Sequence, residues 1–240
     1  LLKDKMRTRI WLGNPVPVLP TIAVSGHECT FDYFQHLLPG NESFILQGCT
    51  GAGGNDTYVV NLASWPKIKE SLNKHEIYLL SPYLQQSISV NTHVLIGKNT
   101  VLLPSSIQIV EYEDDRMIYH GADFIEYKNL TDELKNVIDT LSITVGNQIK
   151  NIGYKGILGI DYIISGKDAY FLEINPRFQA STPLISKALT AKGLTSVQEM
   201  VLESFYDDEH LTNKKYNDIE VNYSNYVIDA YDNYSFYSKY

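Results

Sequence analysis

The chain has 240 residues, of which 44% are hydrophobic and 20% are charged, a composition typical of ordinary globular proteins. Its formal net charge of −8 argues against a broad nucleic-acid-binding surface, and no apolar run is long enough to span a bilayer. Cys29 and Cys49 are too few for a disulfide framework, which favours a reducing cytoplasm as the location. We therefore expect neither a nucleic acid nor a membrane as a partner.

The first third of the chain predicts alternating short helices and strands. A helix is predicted over residues 1–13, where Gly13 and Pro15 stop it. The prolines of "VPVLPTIAV" confine that extended segment to a sheet edge or to a strand outside the ladder. After a short helix, two strands, "SFILQGC" and "TYVVNL", flank "TGAGGND". The helix "SWPKIKESLNK" follows, with Ser64 as its predicted cap and Pro66 in its first turn.

Strands dominate the remainder of the chain. "EIYLLSPYL", "SISVNTHVLI" and "TVLLPSSIQIVEY" are predicted strands, and "GKN" joins the last two in a hairpin. A long helix is predicted from Thr131, with an apolar stripe at Leu134, Ile138, Leu141, Val145 and Ile149. The strands "ILGIDYII" and "AYFLEIN" then meet at "SGKD", and two helices follow near 183–190 and 195–205. The Tyr-rich tail after Tyr206 is either a surface-wrapping extension or the start of a further subdomain.

The stretch "GCTGAGGNDT" is the first candidate for chemistry. Glycines let backbone N–H groups approach a phosphate without interference from side chains. The spacing fits neither the dinucleotide-binding GxGxxG pattern nor a Walker loop, because no Gly-Lys-Ser/Thr follows Gly48 after four residues. With a strand predicted on both sides, the loop is the tip of a β-hairpin. An ordinary glycine-rich turn is the alternative.

The stretch "AYFLEINPRFQAST" carries the second candidate. Glu173, Asn175 and Arg177 alternate with apolar residues, so a strand presents an acid, an amide and a guanidinium on one face. Asp161 lies twelve residues before Glu173, and a three-residue loop with a left-handed Gly166 would place both carboxylates on that face. Two carboxylates and an amide oxygen suit Mg²⁺, while Arg177 suits a phosphate or a carboxylate. A structural Arg–Glu ion pair is the alternative.

Together these stretches resemble the ATP-grasp superfamily, over roughly residues 1–205. The resemblance implies an α+β fold of two lobes, with antiparallel sheets, flanking helices and the nucleotide between the lobes. It points to the arm that contains biotin carboxylase and carbamoyl-phosphate-type enzymes. It divides the chain into a linker and helix (1–20), a small lobe with the glycine-rich hairpin (21–82), a large lobe with the metal site (83–205) and a Tyr-rich extension (206–240).

The resemblance also implies roles for individual residues. It gives Asp161, Glu173 and Asn175 to a Mg²⁺ site, with Mn²⁺ as an alternative ion, and Arg177 to the reacting phosphoryl and carboxylate groups. The implied contacts of ATP are a phosphate-binding lysine, the glycine loop, the hinge that reads the adenine edge and a ribose contact: Lys5, Gly51, Gly53, Gly54, Ser81, Tyr83, Leu84 and Gln86. Gln47 is a further implied ATP contact: it stands where the family commonly has a lysine, and it can donate to a phosphate oxygen but brings no charge. The hinge has no acid, which leaves Gln85 or Gln86 to bond the ribose.

The expected activity is that of an ATP- and Mg²⁺-dependent ligase, which activates a carboxylate as an acyl phosphate and joins it to the amine of an amino acid or peptide. The alternatives are a carbamoyl-phosphate-synthase-like enzyme and a degenerate ATP-grasp protein that binds nucleotide without catalysis. Candidate contacts with the small-molecule carboxylate and amine are Ser105, Gln108, Gln179 and Ser181. Because the chain does not begin with Met, we expect further residues upstream. Enzymes that the chain resembles have a Rossmann-like domain ahead of the helix that carries Lys5, so the resemblance implies that an upstream domain or a separate chain completes the site. A homodimer is a further expectation.

Overall fold

The computed structural model describes residues 1–50, 56–206 and 216–226, so Gly51, Gly53 and Gly54 lie outside the described residues. The strands are β1 (Ile22–Ser25), β2 (Phe44–Gly48), β3 (Thr57–Val60), β4 (Ile77–Pro82), β5 (Ile88–Ile96), β6 (Thr100–Glu113), β7 (Arg116–Asp123), β8 (Gly156–Ser165), β9 (Asp168–Asn175) and β10 (Ser224–Tyr226). The helices are α1 (Lys5–Leu12), α2 (Phe31–Leu37), α3 (Trp65–Ser71), α4 (Phe124–Tyr127), α5 (Asp132–Asn151), α6 (Thr182–Ala191) and α7 (Val197–Tyr206).

These strands form one antiparallel sheet in two parts. The order is β1-β4-β2-β3-β7-β6-β5-β8-β9, and β10 pairs with β7. We call β1 to β4 with their helices the small lobe, and β5 to β10 with their helices the large lobe. The lobes join where Tyr58 on β3 pairs with Arg116 on β7, and where the Val59 N–H donates to the Asp115 carbonyl at 2.9 Å. The predicted α+β class and the edge position of β1 are both confirmed.

Each lobe has its own core. In the small lobe, Phe34 packs edge-on against Phe44 and Trp65, with ring centroids 6.0 and 5.1 Å apart. In the large lobe, the neighbouring residues Val94 and Leu95 belong to different clusters because successive side chains of β5 point to opposite faces. The sheet of the large lobe is therefore covered on both faces.

Helix α5 covers one face of the large lobe and α6 and α7 cover the other. The predicted stripe of α5 is buried at Ile138, Leu141, Val145 and Ile149. On the opposite face, part of the tail joins the core beside α6 and α7, with Tyr216 and Val221 buried. No helix in the described ranges is long and apolar enough to cross a membrane.

The β8–β9 hairpin reaches the predicted pairing by a different route. Ser165 pairs with Asp168, so the loop has two residues and the three-residue prediction was wrong. Gly166 does adopt the left-handed conformation, with φ of 61°. Continued unbroken, this register would place Leu172 opposite Asp161. A β-bulge shifts the pairing by one residue, so that Asp161 lies opposite Glu173.

Other differences from prediction have local causes. The first helix begins at Lys5 because Asp4 caps it, with its side chain accepting from the Arg7 N–H. The Ser64 side chain does not cap α3; its hydroxyl donates to the Val59 carbonyl at 3.0 Å. Strand β7 was not predicted because the turn before it is Asp114–Asp115, which lacks the glycine that usually marks such a turn.

The pairing of β10 with β7 depends on a glycine. A Cβ placed on Gly121 would lie 1.9 Å from the Asn225 carbonyl oxygen. We predict that Gly121→Ala will speed hydrogen exchange of the β10 amides and lower the melting temperature, because the backbone of the two strands must separate. Gly40→Ala is the control: Gly40 has open space and a positive φ, so we expect only the cost of backbone strain, about 1 kcal/mol. Unchanged exchange in β10 would contradict the prediction.

Candidate functional site

A cavity of ≈ 890 Å³ lies between the two lobes. Strands from both lobes and helix α1 contribute to its wall. Ten residues predicted to bind ATP, the metal ion or the reacting groups line it: Lys5, Gln47, Ser81, Tyr83, Leu84, Gln86, Asp161, Glu173, Asn175 and Arg177. Gln85, the alternative ribose contact, is not among its lining residues. Of the residues proposed to contact the substrates, Gln108, Gln179 and Ser181 also line the cavity, whereas Ser105 is not among its lining residues.

A row of three polar residues crosses adjacent strands of the large lobe. Asn91 on β5 pairs with Asp161 on β8, which pairs with Glu173 on β9. Asp161 is only 7% exposed. Its Oδ1 accepts from the Asn91 amide at 2.5 Å and from the Gln108 amide at 3.2 Å. Its Oδ2 accepts from the Asn175 amide at 2.9 Å. The two carboxylates therefore face one another in a region that is largely closed to solvent.

Positive and hydrogen-bonding groups offset the repulsion between these carboxylates. Lys5 Nζ lies 3.2 Å from Glu173 Oε2, and both side chains are largely buried. The Asn175 amide donates to Glu173 Oε1 at 3.2 Å as well as to Asp161. Burial, and secondly the charge of Glu173, raise the pKa of Asp161 to about 7. The pair is thus only partly neutralised by the protein itself.

The donor set fits a hard divalent cation. Asp161 and Glu173 offer carboxylate oxygens that converge on one place, as Mg²⁺ and Mn²⁺ require. Asn175 points its amide nitrogen at both carboxylates, so it would have to rotate its amide to offer Oδ1 to an ion. Asn91 Oδ1 is a buried oxygen without a hydrogen-bond partner. A cation between the carboxylates would relieve their repulsion.

Arg9 connects helix α1 to the bulge in β9, and sequence reasoning missed it. It is 8% exposed, its Nε donates to the Leu172 carbonyl at 3.1 Å, and its Nη1 donates to Thr21 Oγ1 at 3.2 Å. Burial lowers its pKa to about 10, which the nearby charge of Glu173 opposes. It therefore stays protonated at neutral pH. A basic residue one turn after Lys5, on the same helix, was the available sequence signal.

The end of the cavity beyond the carboxylates is polar. Arg177 lines this part of the cavity, is exposed, and donates from Nη1 to the Phe178 carbonyl at 3.2 Å. The Gln179 amide donates to the carbonyl oxygens of Asn175 and Arg177, at 3.2 and 2.8 Å, and so supports this end of β9. Tyr119, which was not predicted, also lines the cavity. Burial, and secondly Asp161, raise its pKa to about 12, so it stays a hydrogen-bond donor.

The predicted hinge forms another part of the cavity wall. Strand β4 ends at Pro82, and Tyr83 donates its N–H to the Ser43 carbonyl at 3.1 Å. Ile45, which pairs with Ser81 on β4, lines the cavity with Leu84, and Met117 is a further apolar lining residue. Gln47 is not directed freely at the cavity, because its amide donates to Thr57 Oγ1 at 3.1 Å. An apolar part of the wall suits an aromatic base better than a phosphate.

Comparison with known sequences identifies relatives. The family model described as the ATP-grasp domain matches residues 2–181. The carbamoyl phosphate synthase large chain of Synechocystis sp. is 28% identical over 126 residues, which are 52% of this chain and 11% of that protein. The arginine-specific carbamoyl phosphate synthase large chain of Geobacillus stearothermophilus is 33% identical over 82 residues, which are 33% of this chain and 8% of that protein. The chain thus spans about a tenth of the length of these relatives.

Solved structures share the fold at lower identity. The biotin carboxylase domain of Hydrogenobacter thermophilus 2-oxoglutarate carboxylase, a dimer with MgADP, ADP and bicarbonate, aligns with a TM-score of 0.70 at 18% identity. The alignment covers 94% of this chain and 49% of that chain. N5-carboxyaminoimidazole ribonucleotide synthetase, in complex with ADP, aligns with a TM-score of 0.68 at 15% identity and covers 85% of this chain and 51% of that chain.

The raised pKa of Asp161 predicts a pH-dependent effect on stability. Its folded pKa of about 7 exceeds the ordinary value of 3.8, so the folded chain binds more protons between these values. Stability therefore falls as the pH rises through that range. We predict that Asp161→Asn raises the melting temperature of the metal-free protein, by an amount that grows from about pH 5 to about pH 8. Asp168→Asn, at the exposed turn of the same hairpin, is the control. An Asp161→Asn difference that is constant or shrinks with pH would contradict this explanation.

Proposed function

Because the chain belongs to the ATP-grasp family, we propose that it is an ATP- and Mg²⁺-dependent ligase that activates a carboxylate as an acyl phosphate and joins it to an amine. The observation that supports this most strongly is the pair of facing acids Asp161 and Glu173, with Lys5 in contact with Glu173 and with Arg177 lining the same cavity. Two facing carboxylates with cationic groups in one cavity suit the binding of a metal ion together with phosphate.

Each charged residue has a role in this proposal. Asp161, Glu173 and Asn175 would hold Mg²⁺, or Mn²⁺, and a bound metal ion would neutralise charge on the phosphates of ATP. Lys5 exchanges its contact with Glu173 for a phosphate oxygen of the nucleotide. Arg177 binds the acceptor carboxylate in a bidentate fork and holds it in line with the terminal phosphate. The protein contributes position and charge, and no side chain forms a covalent intermediate.

The apolar part of the cavity wall at Ile45 and Leu84 would bind the adenine ring. Ser81, Tyr83 and Leu84 place hinge backbone beside it, and Gln86 would bond the ribose. Gln47 supplies no positive charge, so the phosphates depend on Lys5 and on Arg9, whose charge lies next to Glu173. This arrangement supports nucleotide binding with fewer cations than the family commonly has.

A carbamoyl-phosphate-synthase-like activity, with bicarbonate as the acid, is the second candidate. The matches to two carbamoyl phosphate synthase large chains support it. A phosphate-release screen with Mg²⁺-ATP, over amino acids, short peptides, small carboxylic acids and bicarbonate, distinguishes the two. Release that requires both a carboxylic acid and an amine supports the first candidate. Release with bicarbonate alone supports the second, and nucleotide binding without any release supports a degenerate protein.

The proposal extends to the partners and the location. The small-molecule substrates are a carboxylate and an amine, which the polar end of the cavity at Arg177, Gln179 and Ser181 would contact. A homodimer is supported by the dimeric biotin carboxylase domain that shares the fold. A cytoplasmic location is supported by Cys29 and Cys49, which are both free thiols.

The metal-site residues give a direct prediction for catalysis. Asp161→Asn and Glu173→Gln should each lower Mg²⁺-dependent turnover by at least about a hundredfold. Each change removes a carboxylate that would hold the metal ion, and the ion would then neutralise the phosphate charge less well. The dissociation constant of ATP, measured by calorimetry, should rise much less than turnover falls. Asp168→Asn, which changes an exposed acid nearby, should leave both quantities unchanged. Full turnover in either site variant would show that these carboxylates do not bind the metal.

A further inference from the structure

Asn91 carries an oxygen whose environment the roles above do not explain. The residue lies in the middle of β5, between Val90 and Thr92, and is 4% exposed. Its amide nitrogen donates to Asp161 Oδ1 at 2.5 Å. Its Oδ1 has no hydrogen-bond partner. Several buried side-chain atoms in the described ranges have no hydrogen-bond partner. Of the residues that carry these atoms, Asn91 alone lines the cavity.

An unpartnered oxygen of this kind has a cost. Leaving a buried acceptor without a donor destabilises a protein, and the cost disappears when a donor or a cation arrives. While Asp161 is ionised its carboxylate only accepts hydrogen bonds, so the Asn91 amide directs its nitrogen, and not its oxygen, toward Asp161. The oxygen is therefore held in place beside Asp161, in the row that continues to Glu173.

We propose that Asn91 Oδ1 is a ligand of the divalent cation, so that β5 contributes an oxygen to the site together with β8 and β9. The inference rests on the proposed function, because it concerns the same metal site. Amide oxygens are ordinary ligands of Mg²⁺ and Mn²⁺, which prefer several oxygen donors. Asn91 adds a ligand without adding a third negative charge to a site that already holds two carboxylates.

Gln108 provides a matched control within the same chain. Like Asn91, it lines the cavity and donates an amide N–H to Asp161 Oδ1. Unlike Asn91, it is not among the residues with a buried, unpartnered oxygen. If Asn91 served only to position Asp161, changes at Asn91 and at Gln108 would alter metal binding in the same way. If Asn91 is a metal ligand, the two changes have different effects, because the chemical type of a ligand atom determines which metal ion the site prefers.

The test replaces each amide by a thiol and measures metal preference. Both variants, Asn91→Cys and Gln108→Cys, are made in a Cys49→Ser background, and the Cys49→Ser protein is the reference. Each protein is titrated with Mn²⁺, whose free concentration is read from its electron paramagnetic resonance signal, and separately with Cd²⁺. A saturating non-hydrolysable ATP analogue is present throughout. Thiolates prefer Cd²⁺ strongly over Mn²⁺, so Asn91→Cys should raise the ratio of Cd²⁺ to Mn²⁺ affinity by about a hundredfold. It should also give an ultraviolet thiolate-to-cadmium absorption band.

The ratio separates binding from positioning. Loss of the amide hydrogen bond to Asp161 weakens the binding of both ions. Gln108→Cys should therefore leave the ratio of Cd²⁺ to Mn²⁺ affinity within about threefold of the reference and give no new absorption band. An unchanged ratio in Asn91→Cys would overturn the inference, as would an equal change in Gln108→Cys. A reference protein that binds neither ion would contradict the proposed function as well.

A second variant covers the case in which the thiol is not tolerated. Asn91→Asp is nearly isosteric, keeps an oxygen at the same place and adds a negative charge. As a metal ligand, it should tighten Mn²⁺ binding by about tenfold and leave the Cd²⁺ to Mn²⁺ ratio near the reference. Weaker Mn²⁺ binding in Asn91→Asp would overturn the inference, and circular dichroism establishes that the variant is folded.

Discussion

The facing carboxylates of Asp161 and Glu173 are the constraint on which the rest of the site depends. Two acids held opposite each other in a closed region repel, and burial favours their protonated forms. The protein offsets the repulsion with amide donors from Asn91, Gln108 and Asn175 and with the ammonium group of Lys5. This arrangement is the basis of the proposed cation site, because a divalent ion between the acids would replace several weaker interactions with one strong one.

A single bulge in β9 produces this arrangement and attaches it to helix α1. The shift at Leu172 brings Glu173 opposite Asp161, and the Leu172 carbonyl accepts from Arg9. Helix α1 carries Lys5 one turn earlier, and the Lys5 N–H donates to the Cys49 carbonyl at 3.0 Å, at the base of the glycine-rich hairpin. Carboxylates, cations and the start of the glycine loop are thus joined by one short helix, so their relative positions are fixed together.

The sequence predicted the parts of this site that depend on local pattern. Alternation in "FLEINPR" identified Glu173, Asn175 and Arg177, and the Asp161 spacing identified its partner, although a bulge and not a three-residue loop sets the register. A bulge leaves no clear mark in a sequence, because an ordinary apolar Leu172 occupies it.

Other features depend on tertiary contacts that a sequence does not display. Arg9 belongs to the site because α1 packs against β9, and Tyr119 because β7 contributes to the cavity wall although β6 and β5 separate it from β8 in the sheet. Asn91 was detectable in principle, as a polar residue inside a strand that is buried on both faces, but its pattern does not say what its oxygen contacts.

Positional isotope exchange in ATP tests the central claim, which is that the site transfers the terminal phosphoryl group to a carboxylate. ATP labelled with oxygen-18 at the bridge between the β and γ phosphorus atoms is incubated with the full chain, Mg²⁺ and each acid in turn, without an amine. If an acyl phosphate forms reversibly, the label moves to non-bridging positions only when the correct acid is present. Bound ATP with no movement of label for any acid, or movement that needs no acid, would contradict the account.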